Sequence, residues 1–223
     1  MQKELRTQIN NLELSIKSAS ADASRKSNIT TIAVSKKKTI EYIKCAYDLG
    51  IRNFGENYAQ ELEEKARQLK LDKIIWHFIG PLQSNKTKII SNYAHWVHSL
   101  DREKIVNKIN NECENFNKKI NGCIQVNISE EASKSGIKPE ELLDFADHLK
   151  SLENINLRGI MVLPSLSGDA EEQMIKSKKL HNKLIESHPN AKFLSMGTTN
   201  DFESAIKFGS NMIRVGELIF GKR

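Results

Sequence analysis

Eight times along this chain of 223 residues, a short β-rich run gives way to a polar stretch, most of them long enough for a helix. The runs fall at about 29–34, 52–54, 75–79, 95–98, 122–128, 157–162, 193–195 and 211–215. Alternation of this kind without a long linker predicts parallel strands joined by right-handed crossovers. Eight such units close into a barrel more readily than they form an open sheet, and the length suits one barrel without a substantial second domain. We therefore expect an α/β fold, a single (β/α)8 TIM-type barrel, with residues 1–223 forming one domain. A doubly wound open sheet is the alternative that the pattern alone leaves, because the interval 81–94 is a weak helix.

The longer intervals carry helical periodicity. In 39–49, Ile40, Ile43, Ala46, Tyr47 and Leu49 share a face, and Gly50 offers a stop. In 138–150, Pro139 sits in the first turn and Leu142, Leu143, Ala146 and Leu149 form an apolar stripe. An additional helix over 1–20, with Leu5, Ile9, Leu12 and Ile16 near helical spacing, is expected to pack on the outside of the barrel.

Composition narrows the function. Hydrophobic residues make up 39% and charged residues 28%, which suits a buried core rather than a disordered chain. No apolar run approaches the roughly 20 residues needed to cross a bilayer, and the start of the chain lacks a signal-peptide core, so a cytoplasmic protein is expected. Cys45, Cys113 and Cys123 have no metal-site or disulfide spacing and are expected to be plain thiols. The net charge of +6 comes from scattered lysines without a nucleic-acid motif or an aromatic stacking platform, so neither nucleic acid nor membrane is expected as a partner.

In barrels of this kind chemistry sits where strands end, and phosphate sites fall in the loops after the seventh and eighth strands. Both kinds of feature are present. The first run, Thr31-Ile32-Ala33-Val34-Ser35, stops at Lys36, where desolvation and like charges can lower an amine's pKa enough for it to attack an aldehyde. A solvated corner is the plainer reading of the triplet Lys36–Lys38. The second run ends in Phe54-Gly55-Glu56-Asn57, where Gly55 would let a ligand come close and Asn57 can cap the next helix or touch a bound ring. His77, between Trp76 and Phe78, reads as a satisfied core histidine. Near the end, Ser195 and Met196 are expected to line the mouth, Gly197 to give conformational freedom, and Thr198 and Thr199 to supply hydroxyls. A helix from Asp201 would add its N-terminal amides and dipole, with Asp201 capping its own backbone rather than facing an anion. After the eighth run, Gly216 repeats the close approach and Arg214 is a permanent cation at the strand end, a structural ion pair being its plainer role.

A phosphate clamp with a lysine opposite suits pyridoxal 5′-phosphate, whose aldehyde condenses with an amine while its phosphate binds main-chain N–H groups. If Arg214 meets the ring nitrogen, it cannot stabilise a protonated ring as a carboxylate does, so the ring is a weak electron sink.

With these motifs in view, the chain resembles the pyridoxal phosphate homeostasis proteins, small relatives of the alanine racemase barrel. The likeness runs through Ala33-Val34-Ser35-Lys36, Phe54-Gly55-Glu56-Asn57, His77-Phe78-Ile79-Gly80-Pro81-Leu82-Gln83-Ser84-Asn85-Lys86, Val126-Asn127-Ile128-Ser129-Glu130, Lys134-Ser135-Gly136, Leu157-Arg158-Gly159-Ile160-Met161 and both terminal motifs. The resemblance implies a barrel carrying the cofactor as an internal Schiff base on Lys36, Arg214 facing the ring nitrogen, and phosphate contacts from Thr198, Thr199 and Gly216. It implies a role in vitamin B6 balance, and through it in amino- and keto-acid pools, without an established reaction. The expected partners are pyridoxal 5′-phosphate, related B6 vitamers and cofactor-dependent apoenzymes, and the expected state is a monomer. One departure is visible, because the family's usual Met-Ser pair after Ser-x-Gly is here Thr198-Thr199.

The rival enzyme reading is an amino-acid racemase or decarboxylase with weak activity. Racemases of this fold look different in needing a second domain and a partner-supplied tyrosine base, and the four tyrosines here, at 42, 47, 58 and 93, are all early in the chain. We expect no catalytic residues and no metal.

Overall fold

A computed structural model describes residues 1–23, 28–131, 134–165 and 169–221. Its strands, β1 (Thr30–Val34), β2 (Asn53–Glu56), β3 (Ile75–Phe78), β4 (Trp96–Leu100), β5 (Ile120–Val126), β6 (Ile155–Val162), β7 (Phe193–Ser195) and β8 (Met212–Val215), are all parallel and close into one barrel in chain order. The seam is β8 against β1, with Thr31 opposite Ile213 and Ala33 opposite Val215. The open-sheet alternative is excluded.

Helices α2 (Ile40–Asp48), α3 (Ala59–Gln68), α4 (Thr87–Tyr93), α5 (Glu103–Asn115), α6 (Leu142–Lys150), α7 (Ala170–Ser187), α8 (Phe202–Lys207) and α9 (Glu217–Phe220) follow the strands in turn. Their inner faces supply the layer between sheet and helices: Ile43, Leu62, Ile90, Ile109, Leu149 and Leu184 are fully buried. Burial of such a side chain contributes roughly 1.5–3 kcal/mol. The α2 stop is as the sequence predicts. Gly50 has φ +102, its N–H bonds the Tyr47 carbonyl at 3.0 Å, and the Ile51 N–H reaches back to Ala46 at 3.0 Å, the paired closure that satisfies the last carbonyls. The helix over 138–150 begins as a tight turn at Pro139–Glu141 before α6 proper. The weak interval 81–94 holds α4, only seven residues long.

The leading helix, α1 (Gln2–Asp22), buries Leu5, Ile9 and Leu12 and packs on α8, α9 and α2, outside the β8–β1 seam. It thereby braces the two strands whose ends carry Lys36 and Arg214.

Strand alternation decides what faces inward. Val34 points into the barrel mouth, so Ala33 and Ser35 turn outward to the helices. Gly55 faces the interior, but it does not serve a ligand: a Cβ there would meet Ile32 Cγ2 at 2.9 Å, so the glycine makes room for the barrel's own core. Among the described residues no helix is long and apolar enough to cross a membrane. Cys45, Cys113 and Cys123 are buried free thiols.

Candidate functional site

A cavity of about 390 Å³ opens at the C-terminal ends of the strands. It brings together Lys36, Asn57, Thr198, Thr199, Arg214 and Gly216, residues separated by up to 180 positions in the chain. It does not expose Ser195 or Met196. Both are fully buried, because the inward direction at the end of β7 places Ser195 beneath Arg214 rather than at the mouth. Gly197 lies between them and the loop with φ +99, and its carbonyl accepts the Arg214 N–H at 3.0 Å.

Arg214 is the fixed centre. Its Nη1 donates to Ser195 Oγ at 2.6 Å and its Nη2 to the Val162 carbonyl at 3.0 Å. Burial lowers its pKa to about 10, against the pull of Asp201, so it remains a cation at neutral pH. Among the described residues no carboxylate lies within ion-pairing distance of it, and the ion-pair role is not the one found.

Behind Arg214 a polar chain crosses the barrel interior: Ser195 Oγ to His98 Nδ1 at 3.0 Å, His98 Nε2 to His77 Nδ1 at 2.9 Å, and His77 Nε2 to Asn53 Oδ1 at 3.0 Å. Burial pushes the His77 pKa down to about 3 and that of His98 well below its usual value, so both rings are neutral. His77 is the satisfied core histidine the sequence suggests. His98, its partner in that chain, carries no signal in the sequence.

The phosphate-like end is built from loops more than from helices. The main-chain N–H groups of Thr199, Asn200, Gly216 and Glu217 donate no hydrogen bond among the described residues. Helix α8, with six residues starting at Phe202, is too short for its dipole to dominate. Asp201 differs from expectation in its aim. Its Oδ1 accepts the Thr198 N–H at 2.7 Å and the Thr198 hydroxyl at 2.8 Å, and makes no side-chain bond to its own helix. The Thr198 amide is thereby engaged, whereas the amides of Thr199 and Asn200 are not.

Asn57 is not the helix cap; Tyr58 occupies that position. Its Oδ1 is buried without a hydrogen-bond partner, an uncommon state for an amide oxygen beside a cavity. Free amides, an orphaned acceptor, a buried cation and an amine thus surround one space, a donor set that fits a flat ring bearing an anionic tail and an electrophilic substituent. Lys38 also reaches the cavity, yet its Nζ is held by the carbonyls of Phe220 at 3.0 Å and Gly221 at 3.4 Å. Ile79 and Met161 add apolar walls, a role that hydrophobicity in the sequence does not distinguish from core packing.

Beneath Lys36 lies a charged cluster. Lys65 Nζ bonds Glu56 Oε1 at 2.8 Å, Glu61 Oε1 at 2.6 Å and the Ser35 carbonyl at 2.7 Å, and Ser35 Oγ donates to Glu56 Oε1 at 2.5 Å. Burial pushes the Glu56 carboxyl up to about 7, against the opposing pull of Lys65 and Ser35.

Comparison with known proteins adds an independent line. The family model described as the alanine racemase N-terminal domain matches residues 10–223. The chain is 44% identical over 204 residues to the Pasteurella multocida protein named pyridoxal phosphate homeostasis protein, covering 88% of each. With the Haemophilus influenzae protein of the same name it shares 42% over 223 residues, 96% of this chain and 94% of the relative. Among solved structures, PipY of Synechococcus elongatus PCC7942 with PLP bound matches with a TM-score of 0.84 and 26% identity, covering 97% of this chain and 100% of PipY.

Proposed function

This chain belongs to the family of the alanine racemase N-terminal domain and, within it, to the pyridoxal phosphate homeostasis proteins, and from that premise we propose that it holds pyridoxal 5′-phosphate as a Schiff base on Lys36. Its role is intracellular vitamin B6 homeostasis, with an influence on the balance of amino and keto acids. The observation that carries this reading is the convergence of Lys36, Arg214 and the uncommitted amides of residues 199, 200, 216 and 217 on one cavity.

When bound, the cofactor supplies an aldehyde that condenses with an amine and a ring that withdraws electrons from the attached carbon. Lys36 is the amine. Arg214 meets the ring nitrogen, oriented from behind by Ser195 and from its own main chain by Gly197. Thr199, Gly216 and their neighbouring amides take the phosphate, Thr198 shapes the loop through Asp201, and Asn57 offers its free oxygen to a ring substituent. Met196 packs beneath the loop as core. Holding rather than turnover is favoured by Arg214, which offers the ring no acceptor.

In this reading the protein is one cytoplasmic domain acting as a monomer, and it exchanges the cofactor with apoenzymes and other B6 vitamers. Half-buried Lys36, Thr198 and Thr199 leave the site reachable from solvent, which supports exchange. The test is titration with pyridoxal 5′-phosphate. The wild type should develop the visible absorbance of the imine, and Lys36→Ala should lose it while unfolding at the same temperature. Absorbance that survives in Lys36→Ala overturns the assignment.

A further inference from the structure

Resting on that reading, we propose that Glu61 and Lys65 on α3, together with Glu56 at the end of β2, are positioning residues for Lys36, gripping the chain on both sides of it.

Lys36 occupies the second position of a tight turn closed by the Lys38 N–H on the Ser35 carbonyl at 3.0 Å. The next residue, Lys37, has φ +61, a left-handed conformation that is strained for a non-glycine residue and persists only when the surroundings hold it. Besides the turn's own bond, two contacts from one helix hold it. Lys65 Nζ bonds the Ser35 carbonyl at 2.7 Å, and Glu61 Oε1 accepts the Lys37 N–H at 2.5 Å. These are the peptide groups immediately before and after Lys36. The two gripping side chains are themselves joined at 2.6 Å, and Glu56 holds Lys65 from the far side at 2.8 Å.

The cluster is costly as a source of stability. Glu56 is fully buried and Lys65 only 5% exposed, and buried ion pairs are often no better than apolar packing of the same volume. An apolar replacement would pack the space but would leave the Lys37 N–H without its acceptor and the Ser35 carbonyl with only the turn's own bond from Lys38. None of the three charged groups lines the cavity, so their effect on the ligand runs through Lys36. Condensation forms a bond from Lys36 Nζ to the aldehyde carbon and expels the carbonyl oxygen as water with both hydrogens of the neutral amine. Its rate depends on how often a long, flexible side chain presents that amine, and a misplacement of about 1 Å can cost a hundredfold.

The experiment compares Lys65→Met, Glu61→Ala and Glu61→Gln with the wild type in three measurements: the rate of imine formation with pyridoxal 5′-phosphate, the affinity for pyridoxine 5′-phosphate, whose alcohol cannot form an imine, and hydrogen exchange at the Lys37 amide. We expect Lys65→Met and Glu61→Ala to slow imine formation about ten- to a hundredfold, to keep pyridoxine 5′-phosphate affinity within about twofold, and to speed exchange at Lys37. Glu61→Gln, which keeps an acceptor oxygen, should stay near the wild type. Unchanged imine rates, or a parallel fall in both vitamers, overturn the proposal. If Lys65→Met does not fold, Glu61→Ala at its half-buried position decides alone. A wild type that forms no imine refutes the cofactor reading instead, and the ligand-free exchange at Lys37 still reports whether α3 grips the turn.

Discussion

The Arg214 guanidinium donates to the Ser195 hydroxyl across 2.6 Å, at one end of a hydrogen-bond chain whose direction is set at the other end. Asn53 Oδ1 can only accept, so His77 donates from Nε2, and the neutral ring accepts on Nδ1 from His98 Nε2. Neutral His98 then accepts on Nδ1 from the Ser195 hydroxyl, whose oxygen accepts from Arg214. Neutral, fully satisfied rings hold the cation in place without sharing its charge.

Replacing Arg214 with glutamate should protonate the ring nitrogen of bound pyridoxal 5′-phosphate and shift the absorbance of the complex. The measurement is a spectrum of the loaded variant against the loaded wild type. An unshifted spectrum places Arg214 away from the ring.

Gly197→Ala should loosen the anion loop. With φ at +99 and a new Cβ only 2.7 Å from that of Ala205, the substitution costs about 1–3 kcal/mol and pushes the start of α8 away. Denaturant unfolding should record the loss, and affinity for pyridoxal 5′-phosphate should fall more than affinity for unphosphorylated pyridoxal. Equal affinities for both vitamers, unchanged from the wild type, would count against an anion site at this loop.

Glu56 makes a prediction in pH. Its pKa is raised on folding, so its contribution to stability is complete below its ordinary value of 4.5 and is lost as pH climbs to about 7. The amide introduced by Glu56→Gln cannot ionise, so that variant should gain on the wild type over the same interval, by on the order of 3 kcal/mol. Unfolding free energies of the two proteins at a series of pH values check the sign. A difference that stays flat from pH 4.5 to 7 contradicts it.

The barrel and most of the residues lining its candidate site are legible in the sequence because they depend on local signals: eight strand ends, a lysine at one, a glycine–threonine corner at a second and an arginine and glycine at a third. What escapes depends on direction and register. Gly55 and Glu56 belong to β2, although glycine followed by polar residues reads as a turn, and the outward aim of Glu56 toward Lys65 emerges only once the strand is extended to include it. Ser195 ends β7 and Met196 follows it, so both read as mouth residues, but Ser195 turns under Arg214 and Met196 is buried. His98 meets a partner 97 positions away in Ser195, a pairing that no spacing within the sequence encodes. Asp201 has the residue type and place of a cap, and its nearer attachment to Thr198 three residues back prevails.

Borohydride reduction of the protein loaded with pyridoxal 5′-phosphate, followed by peptide mapping, puts Lys36 to the test as the anchor of the cofactor. One reduced adduct is expected, on the peptide that carries Lys36, and none in Lys36→Ala. An adduct on another lysine, or no adduct at all, contradicts that assignment.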